Sequence, residues 1–172
     1  MSLLVMEKAN LFCGIATTNS LHLELVELKL PAMVETYIDH HPGGGVMGIE
    51  IDVIFNKLEC NFHLLGWDSQ VQTLIGSWEA SQQTFTALGL LRDQMTGKTI
   101  QAIAQMRGRL GIADPQSFRV GDPMTWNYSI KGIMSYSLWV AGEPVYYWDF
   151  LTNALTVGSV SRSGVVPPPI TF

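Results

Sequence analysis

Residues 125–140 read TWNYSIKGIMSYSLWV. Apolar and aromatic side chains occupy the even positions of this stretch, at Trp126, Tyr128, Ile130, Met134, Tyr136, Leu138 and Val140. Because successive side chains of a strand point to opposite faces, the alternation predicts one long β-strand. A turn at Ala141-Gly142-Glu143-Pro144 leads into the aromatic-rich segment Val145–Phe150. The two segments together predict an antiparallel strand pair.

Similar alternation predicts further strands on the N-terminal side. It runs through residues 21–30 but slips in phase at Leu25-Val26, which indicates a β-bulge or a strand that changes its buried face. Residues 49–65 predict one long strand, or two that break near Asn56-Lys57. Strands at 84–92 and 99–110 flank a hairpin turn at 93–98. Residues 111–123 are predicted to be a loop.

One helix is predicted after residue 67. Asp68 is placed as its N-cap, and Val71, Leu74, Ile75 and Trp78 follow at the i, i+3, i+4, i+7 spacing of an apolar stripe about three turns long. The elements add up to seven or eight strands and this helix. We therefore expect a mainly β chain, an antiparallel two-sheet sandwich or barrel with one flanking α-helix.

The composition is unusually poor in charge for a free monomer. The chain has 172 residues, a length typical of a single domain, of which 47% are hydrophobic and 15% charged. Soluble domains carry about 25% charged residues, so part of the apolar excess is expected in subunit interfaces. No apolar run is long enough for a membrane helix or a signal peptide, and we expect synthesis in the cytoplasm. The net charge of −5 argues against a dedicated nucleic-acid binder.

Charge is unevenly distributed along the chain. Residues 1–86 hold ten acidic and three basic residues, whereas residues 87–172 hold five acidic and seven basic residues. Such halves could join copies of the chain head to tail. Arg107 and Arg109 are the basic residues we single out for this contact.

A glycine-rich segment, Asp39-His40-His41-Pro42-Gly43-Gly44-Gly45, lies in a predicted loop over residues 32–48. Loops of this length in a compact domain are usually functional or are ordered by a partner. A metal site at Asp39, His40 and His41 is a weaker interpretation, because no further acidic residues follow predicted parallel strands. We expect no metal and no other cofactor.

Other motifs do not predict catalysis. Gly97-Lys98-Thr99 lacks the earlier glycine and the following helix of a phosphate-binding loop. The acidic residues Glu24, Glu27, Glu50 and Asp52 occupy polar strand positions, which usually form a solvated face. The aromatic residues between Trp126 and Trp148 are interpreted as core, and Cys13 and Cys60 as buried thiols. We therefore expect no enzymatic activity.

Several segments resemble the major tail tube protein of contractile-tailed phages, a family that includes R-type pyocin tubes. They are Leu28–Met33 with Glu35 and Tyr37, Gly43–Ile51, Leu58–Phe62 with Gly66, Met106–Leu110, and Gly142–Tyr146 with Asp149. In order and spacing they cover residues 10–162. The resemblance implies hexameric rings stacked into a rigid tube through which DNA passes, surrounded by a sheath and joined to baseplate and tail terminator proteins.

The resemblance also implies which residues contact other copies. The long loop after the second strand, at about 37–48, would reach a neighbouring ring. The candidate contact residues are Tyr37, Ile38, Asp39, His40, His41, Pro42, Gly43, Gly44, Gly45, Val46 and Met47, together with Arg107 and Arg109. Two features depart from the family. Ile38 stands where a basic residue is common, and residues 164–172 form a proline-rich tail, expected to be extended, in place of a polar one.

Alternatives remain at this point. The tube protein of a pyocin or of a type VI secretion system has the same fold class. A monomeric ligand-binding β-barrel would instead use the aromatic residues as a pocket. For the tail tube we expect a single domain over residues 1–172, located in the virion tail, assembled in the host cytoplasm and without a membrane anchor.

Overall fold

The computed structural model of the chain describes residues 3–14, 20–76 and 82–161. Within these ranges every strand pairing is antiparallel, so the predicted mainly β, antiparallel architecture is confirmed. The elements are β1 (Leu4–Cys13), β2 (Leu25–Lys29), β3 (Glu35–His40), β4 (Ile49–Phe55), β5 (Cys60–Leu65), α1 (Ser69–Thr73), β6 (Gln83–Asp93), β7 (Thr99–Pro115), β8 (Thr125–Val140), β9 (Glu143–Asp149), β10 (Ala154–Val157) and β11 (Val160–Ser161).

Strand β8, the long strand predicted from residues 125–140, is the branch point of the main sheet. It pairs with β7 along most of its length. Its first half, Thr125–Ile130, also pairs with β5, and β2 follows β5. Its second half, Ser135–Val140, pairs with β9, after which come β10 and β11. On the other side of β7 the sheet continues through β6 to β1.

Glycines allow β7 and β8 to bend at the branch. The register between the two strands shifts between Arg107 and Arg109. A Cβ atom on Gly108 would lie 3.0 Å from Ile130 Cγ2 and 3.1 Å from the Lys131 carbonyl oxygen, so a side chain there would require these neighbours to shift. Opposite it, Gly132 has φ +58°, a conformation that favours glycine. The bend directs the two halves of β8 into different parts of the sheet.

Both parts of the sheet contribute to one buried core. Phe62 of β5 stacks on Tyr128 of β8 with ring centroids 5.1 Å apart. The fully buried side chains also include Leu11, Cys13, Cys60, Leu64, Phe85, Met106, Ile130 and Tyr136. Cys13 and Cys60 are buried free thiols, as predicted, and burial raises the pKa of each to about 12. Tyr128 and Tyr136 are core, and Trp126, Tyr146 and Trp148 pack partly buried against it, so the interpretation of the aromatic residues as core is confirmed for these five. Trp139 and Tyr147 do not belong to the core cluster.

The helix is shorter than predicted. Asp68 is the N-cap, as expected, and its carboxylate accepts hydrogen bonds from the backbone N–H groups of Gln70 and Val71 at 2.7 and 3.2 Å. The helix ends at Thr73, however, and a turn follows in which Gly76 has φ +70°. The predicted three-turn stripe is therefore wrong over residues 74–76. Trp78 lies outside the described residues.

Several strand boundaries also differ from the predictions. The β-bulge predicted at Leu25-Val26 is present, as is the break near Asn56-Lys57. Residues 22–24 form a turn instead of a strand, and residues 111–115 extend β7 instead of forming a loop. β1 was not predicted, because its first seven residues are exposed or half-buried and so show no alternation. β3 was missed for the same reason.

Candidate assembly surface

The predicted contact loop is part of a β-hairpin that stands apart from the main sheet. Residues 37–40 belong to β3 and only residues 41–48 connect it to β4, so the loop is shorter than the predicted 37–48. Among the described residues neither strand pairs with any strand other than its partner. At the base, the Asn56 N–H donates to the Val34 carbonyl oxygen at 2.7 Å. An isolated two-stranded hairpin is marginally stable in water, so this one is suited to being covered by another molecule.

The register gives the hairpin one acidic face. Tyr37 lies opposite Asp52, and Asp39 lies opposite Glu50, and directly opposed residues share a face. Glu35 completes this acidic face, and the hairpin contains no Lys or Arg.

The pKa of Tyr37 reflects the negative charge of the acidic face. Its hydroxyl donates a hydrogen bond to the Glu35 carboxylate. That bond and the nearby negative charges of Glu35, Asp52 and Glu50 raise the pKa of Tyr37. A surface with this concentration of carboxylates is complementary to a basic partner.

The opposite face is apolar. Ile38 lies opposite Ile51, and His40 opposite Ile49, with Ile54 at the base. Ile38, Ile49 and Ile54 are 55%, 61% and 68% exposed. Clustered exposed apolar side chains of this kind mark an interaction site.

The tip of the hairpin combines a tight turn with exposed apolar residues. The Gly45 N–H donates to the Pro42 carbonyl oxygen at 3.0 Å. A Cβ atom on Gly45 would lie 2.6 Å from Pro42 Cγ, so the turn requires glycine there. Val46 and Met47, beyond the turn, are almost completely exposed. Glycine thus allows the tight turn at the tip, and the tip exposes apolar side chains beyond that turn.

Arg107 and Arg109 lie on the main sheet, at the bend of β7. Both are exposed. Arg109 lies opposite Lys131, whose ammonium is 3.3 Å from a Glu59 carboxylate oxygen. The structure therefore brings the predicted residues of the hairpin together and places the two arginines on a separate surface, in a different element.

Two further candidate surfaces were missed by sequence reasoning. β4 contributes Glu50 and Asp52 to the acidic face and Ile49, Ile51 and Ile54 to the apolar face; the alternation of isoleucine with acidic residues over 49–52 was the available signal. Among the described strands β1 pairs only with β6, apart from an isolated bridge between Phe12 and Ser20, and the exposed residues Leu3, Val5 and Met6 lie at its start. Exposed edges of this kind can pair with another chain.

The described residues offer no arrangement suited to a metal. Asp39 and His40 are adjacent in β3 and point to opposite faces. In residues 3–14, 20–76 and 82–161 no three His, Cys, Asp or Glu side chains are grouped to hold an ion. The described helix is also too short to cross a membrane.

Comparison with known proteins identifies the family. A family model described as phage tail tube protein FII matches residues 6–164. The chain belongs to this family. It is a structural component of a tail tube, and the hairpin and sheet edges are features of a tube subunit. A search of curated proteins found no match.

Solved structures share the fold of this tube subunit. One is a chain of an extracellular contractile injection system, the PVC sheath–tube complex in the extended state, with a TM-score of 0.53 and 7% identity over 77% of this chain and 88% of that chain. A chain of the PVC sheath/tube terminator gives 0.53 and 7% over 77% and 94%. A chain of the anti-feeding prophage baseplate gives 0.54 and 8% over 77% and 91%. At these identities the similarity concerns the fold alone.

Proposed function

We propose that six copies of this tube subunit close into a ring, and that rings stack through the β3–β4 hairpin to form the inner tube of a contractile tail. The hairpin is the observation that carries the proposal. It extends from the main sheet with one apolar and one acidic face, and it pairs with no other described strand. A neighbouring ring would cover the apolar face and supply basic groups for the acidic one.

Closure of a ring needs a second contact, between subunits of the same ring. The edges of the main sheet are suited to this contact. A head-to-tail interface that closes gives a ring, while one that does not close gives a filament. Over Leu4–Asn10, β1 presents an edge that pairs with no second described strand, at one end of the sheet order. Pairing of this edge with a neighbouring copy would extend the sheet around a ring, and a wide barrel built from many strands leaves an open lumen.

The partners and location of the tube are part of the same proposal, and family membership supports them. We propose that it works without enzymatic activity, cofactor or membrane anchor, inside a sheath, between a baseplate and a terminator, and that DNA crosses the lumen only in transit. The net charge of −5 supports weak contact with DNA. The subunit would assemble in the host cytoplasm and end in the virion tail.

Deletion of residues 39–46 tests the role of the hairpin. The variant is expected to keep the circular dichroism spectrum and thermal unfolding midpoint of the main sheet, because the hairpin shares no strand pairing with it. Negative-stain electron microscopy should then show rings or short oligomers without long tubes. The control is Met95→Ser, which removes an exposed apolar residue from the β6–β7 turn and should leave tubes normal. Long tubes formed by the deletion variant would refute the role of the hairpin.

A second use of the same tube is supported by two of the solved structures, the PVC sheath–tube complex and the PVC sheath/tube terminator, which belong to an extracellular contractile injection system. In such a particle the tube would pierce an envelope without carrying a genome. Nuclease-protected DNA within purified particles would support the phage use, and its absence from intact, sheathed particles would support the injection use.

A further inference from the structure

A large cleft opens beside the base of the hairpin. It has a volume of about 580 Å³ and lies between the end of β4, the bend of β8 and the β9–β10 turn. Its apolar walls are formed by Ile54, Phe55, Ile133, Trp148, Phe150 and Leu155. The volume falls within the roughly 300–1,000 Å³ range of ordinary ligand pockets.

The described chain ends in β11, next to a strand that contributes to this cleft. β11 runs antiparallel to β10, with Val160 opposite Val157 and Ser161 opposite Thr156. The next residue of β10 in this direction is Leu155, which lines the cleft and pairs with Trp148 of the adjacent strand β9, another cleft residue. β11 is therefore directed toward the cleft.

The sequence after Ser161 suits such a site chemically. Residues 162–172 read RSGVVPPPITF, with seven apolar residues among eleven. Consecutive prolines favour the polyproline II conformation, which needs no hydrogen bonds from a sheet and docks into grooves lined by aromatic side chains. Trp148 and Phe150 provide such a pair, with ring centroids 6.4 Å apart and planes tilted by 59°. Residues 165–172 lie beyond the part of the chain that matches the family model.

We propose that residues 162–172 dock into this cleft of their own chain, with the prolines against Trp148 and Phe150. Docking in the same chain is favoured because the segment follows Ser161, whose partner Thr156 is adjacent to the cleft residue Leu155, and a short tether gives an effective concentration on the order of millimolar. At about 3.1 Å per residue the segment spans roughly 34 Å when extended. Since Ile54 and Phe55 end β4, the docked segment would brace the base of the hairpin.

Peptide competition tests the proposal. A fluorescent peptide of sequence 162–172 is titrated into a chain that ends at Ser161, with fluorescence anisotropy as the readout. Saturable binding is expected. Phe150→Ser, in the truncated chain, should weaken it by about fivefold or more, because the loss of a central aromatic anchor has a large effect. Phe118→Ser is the matched control, since Phe118 is equally exposed but belongs to the loop after β7 and does not line the cleft. It should bind within about twofold of the parent.

A comparison with the full-length chain distinguishes docking of the segment in its own chain from occupation of the cleft by a neighbouring subunit. It should bind the peptide about tenfold more weakly than the truncated chain, because its own segment fills the cleft. Replacement of Pro167, Pro168 and Pro169 by Ser in the full-length chain should restore binding. No saturable binding to the truncated chain, or equal binding to both chains, would overturn the proposal. So would a full-length proline variant that still excludes the peptide, since a neighbouring subunit would then be the occupant.

Discussion

Asp39 of β3 lies directly opposite Glu50 of β4, so two carboxylates face each other across the hairpin. Opposed like charges destabilise a strand pair. No Lys or Arg of the hairpin offsets them, and Asp52 adds a third carboxylate to the same face. The acidic face therefore weakens the isolated hairpin, and its charge becomes favourable only against a basic surface of another molecule.

Neutralising Asp39 and Glu50 should stabilise the hairpin of the unassembled subunit and weaken tube assembly. In Asp39→Asn/Glu50→Gln the repulsion is lost, so hydrogen exchange of the β3 and β4 amides should slow in the unassembled subunit. Tube length measured by electron microscopy should fall, because the attraction to a basic partner is lost as well. The control, Asp114→Asn/Asp122→Asn, removes two exposed carboxylates outside the hairpin and should change neither quantity. Faster exchange in the hairpin variant would contradict this explanation.

Reversal of Arg107 and Arg109 tests whether they are the basic partner. Arg107→Glu/Arg109→Glu should shorten or abolish tubes, as measured by sedimentation and electron microscopy, and the defect should be salt-dependent. Adding Asp39→Lys/Glu50→Lys to the same chain should restore tubes, because both surfaces are then reversed. The control is Lys98→Glu/Arg119→Glu, which makes the same charge change at exposed positions elsewhere. Normal tubes from the first variant would exclude the two arginines as the contact.

The bend of β7 predicts a stability difference between two glycine substitutions. Gly108→Ala places a methyl group against Ile130 and the Lys131 carbonyl oxygen, which should lower the free energy of unfolding by about 1–3 kcal/mol. Gly44→Ala in the hairpin tip meets no heavy atom within 4 Å and should leave that free energy unchanged. Urea denaturation measures both. Equal midpoints for the two variants would show that the bend tolerates a side chain.

The buried thiols predict a loss of stability at alkaline pH. Burial raises the pKa of Cys13 and Cys60 from 9.0 to about 12, so the folded state keeps both protons where the unfolded state loses them. The free energy of unfolding should therefore fall between pH 9 and 12, by about 1.4 kcal/mol per thiol for each pH unit. Cys13→Ala/Cys60→Ala should flatten this dependence. Burial also raises the pKa of Tyr136, so a smaller slope should remain. Urea titrations at pH 8, 9, 10 and 11 would detect the difference, and parallel curves for the two proteins would rule it out.

The sequence predicted those strands in which apolar and polar residues alternate. The alternation at 125–140 and the break near residue 56 correspond to β8 and to the gap between β4 and β5. β4 was predicted although both of its faces are exposed, because isoleucines alternate with acidic residues along it. The same method missed β1 and β3, since their residues show no regular alternation.

The candidate site was partly predictable in the same way. Its tip was identified from Pro42 and the glycines that follow, because their backbone preferences are local properties. The acidic and apolar faces were not, since they depend on which residues of β3 and β4 lie opposite each other. That register contains an extra residue, Val53, between Ile54 and Asp52, which no local pattern revealed.

Local chemistry in the sequence thus determined the β-rich class, the Asp68 cap, the bulge at Leu25-Val26 and the burial of Cys13 and Cys60. Tertiary structure alone decided that β8 branches the sheet, that the hairpin has two chemically distinct faces, and that an aromatic cleft lies between the base of the hairpin and β10. These features depend on pairings between residues far apart in the chain. Periodicity shows which side of a strand is buried, but it does not specify which strand lies beside it.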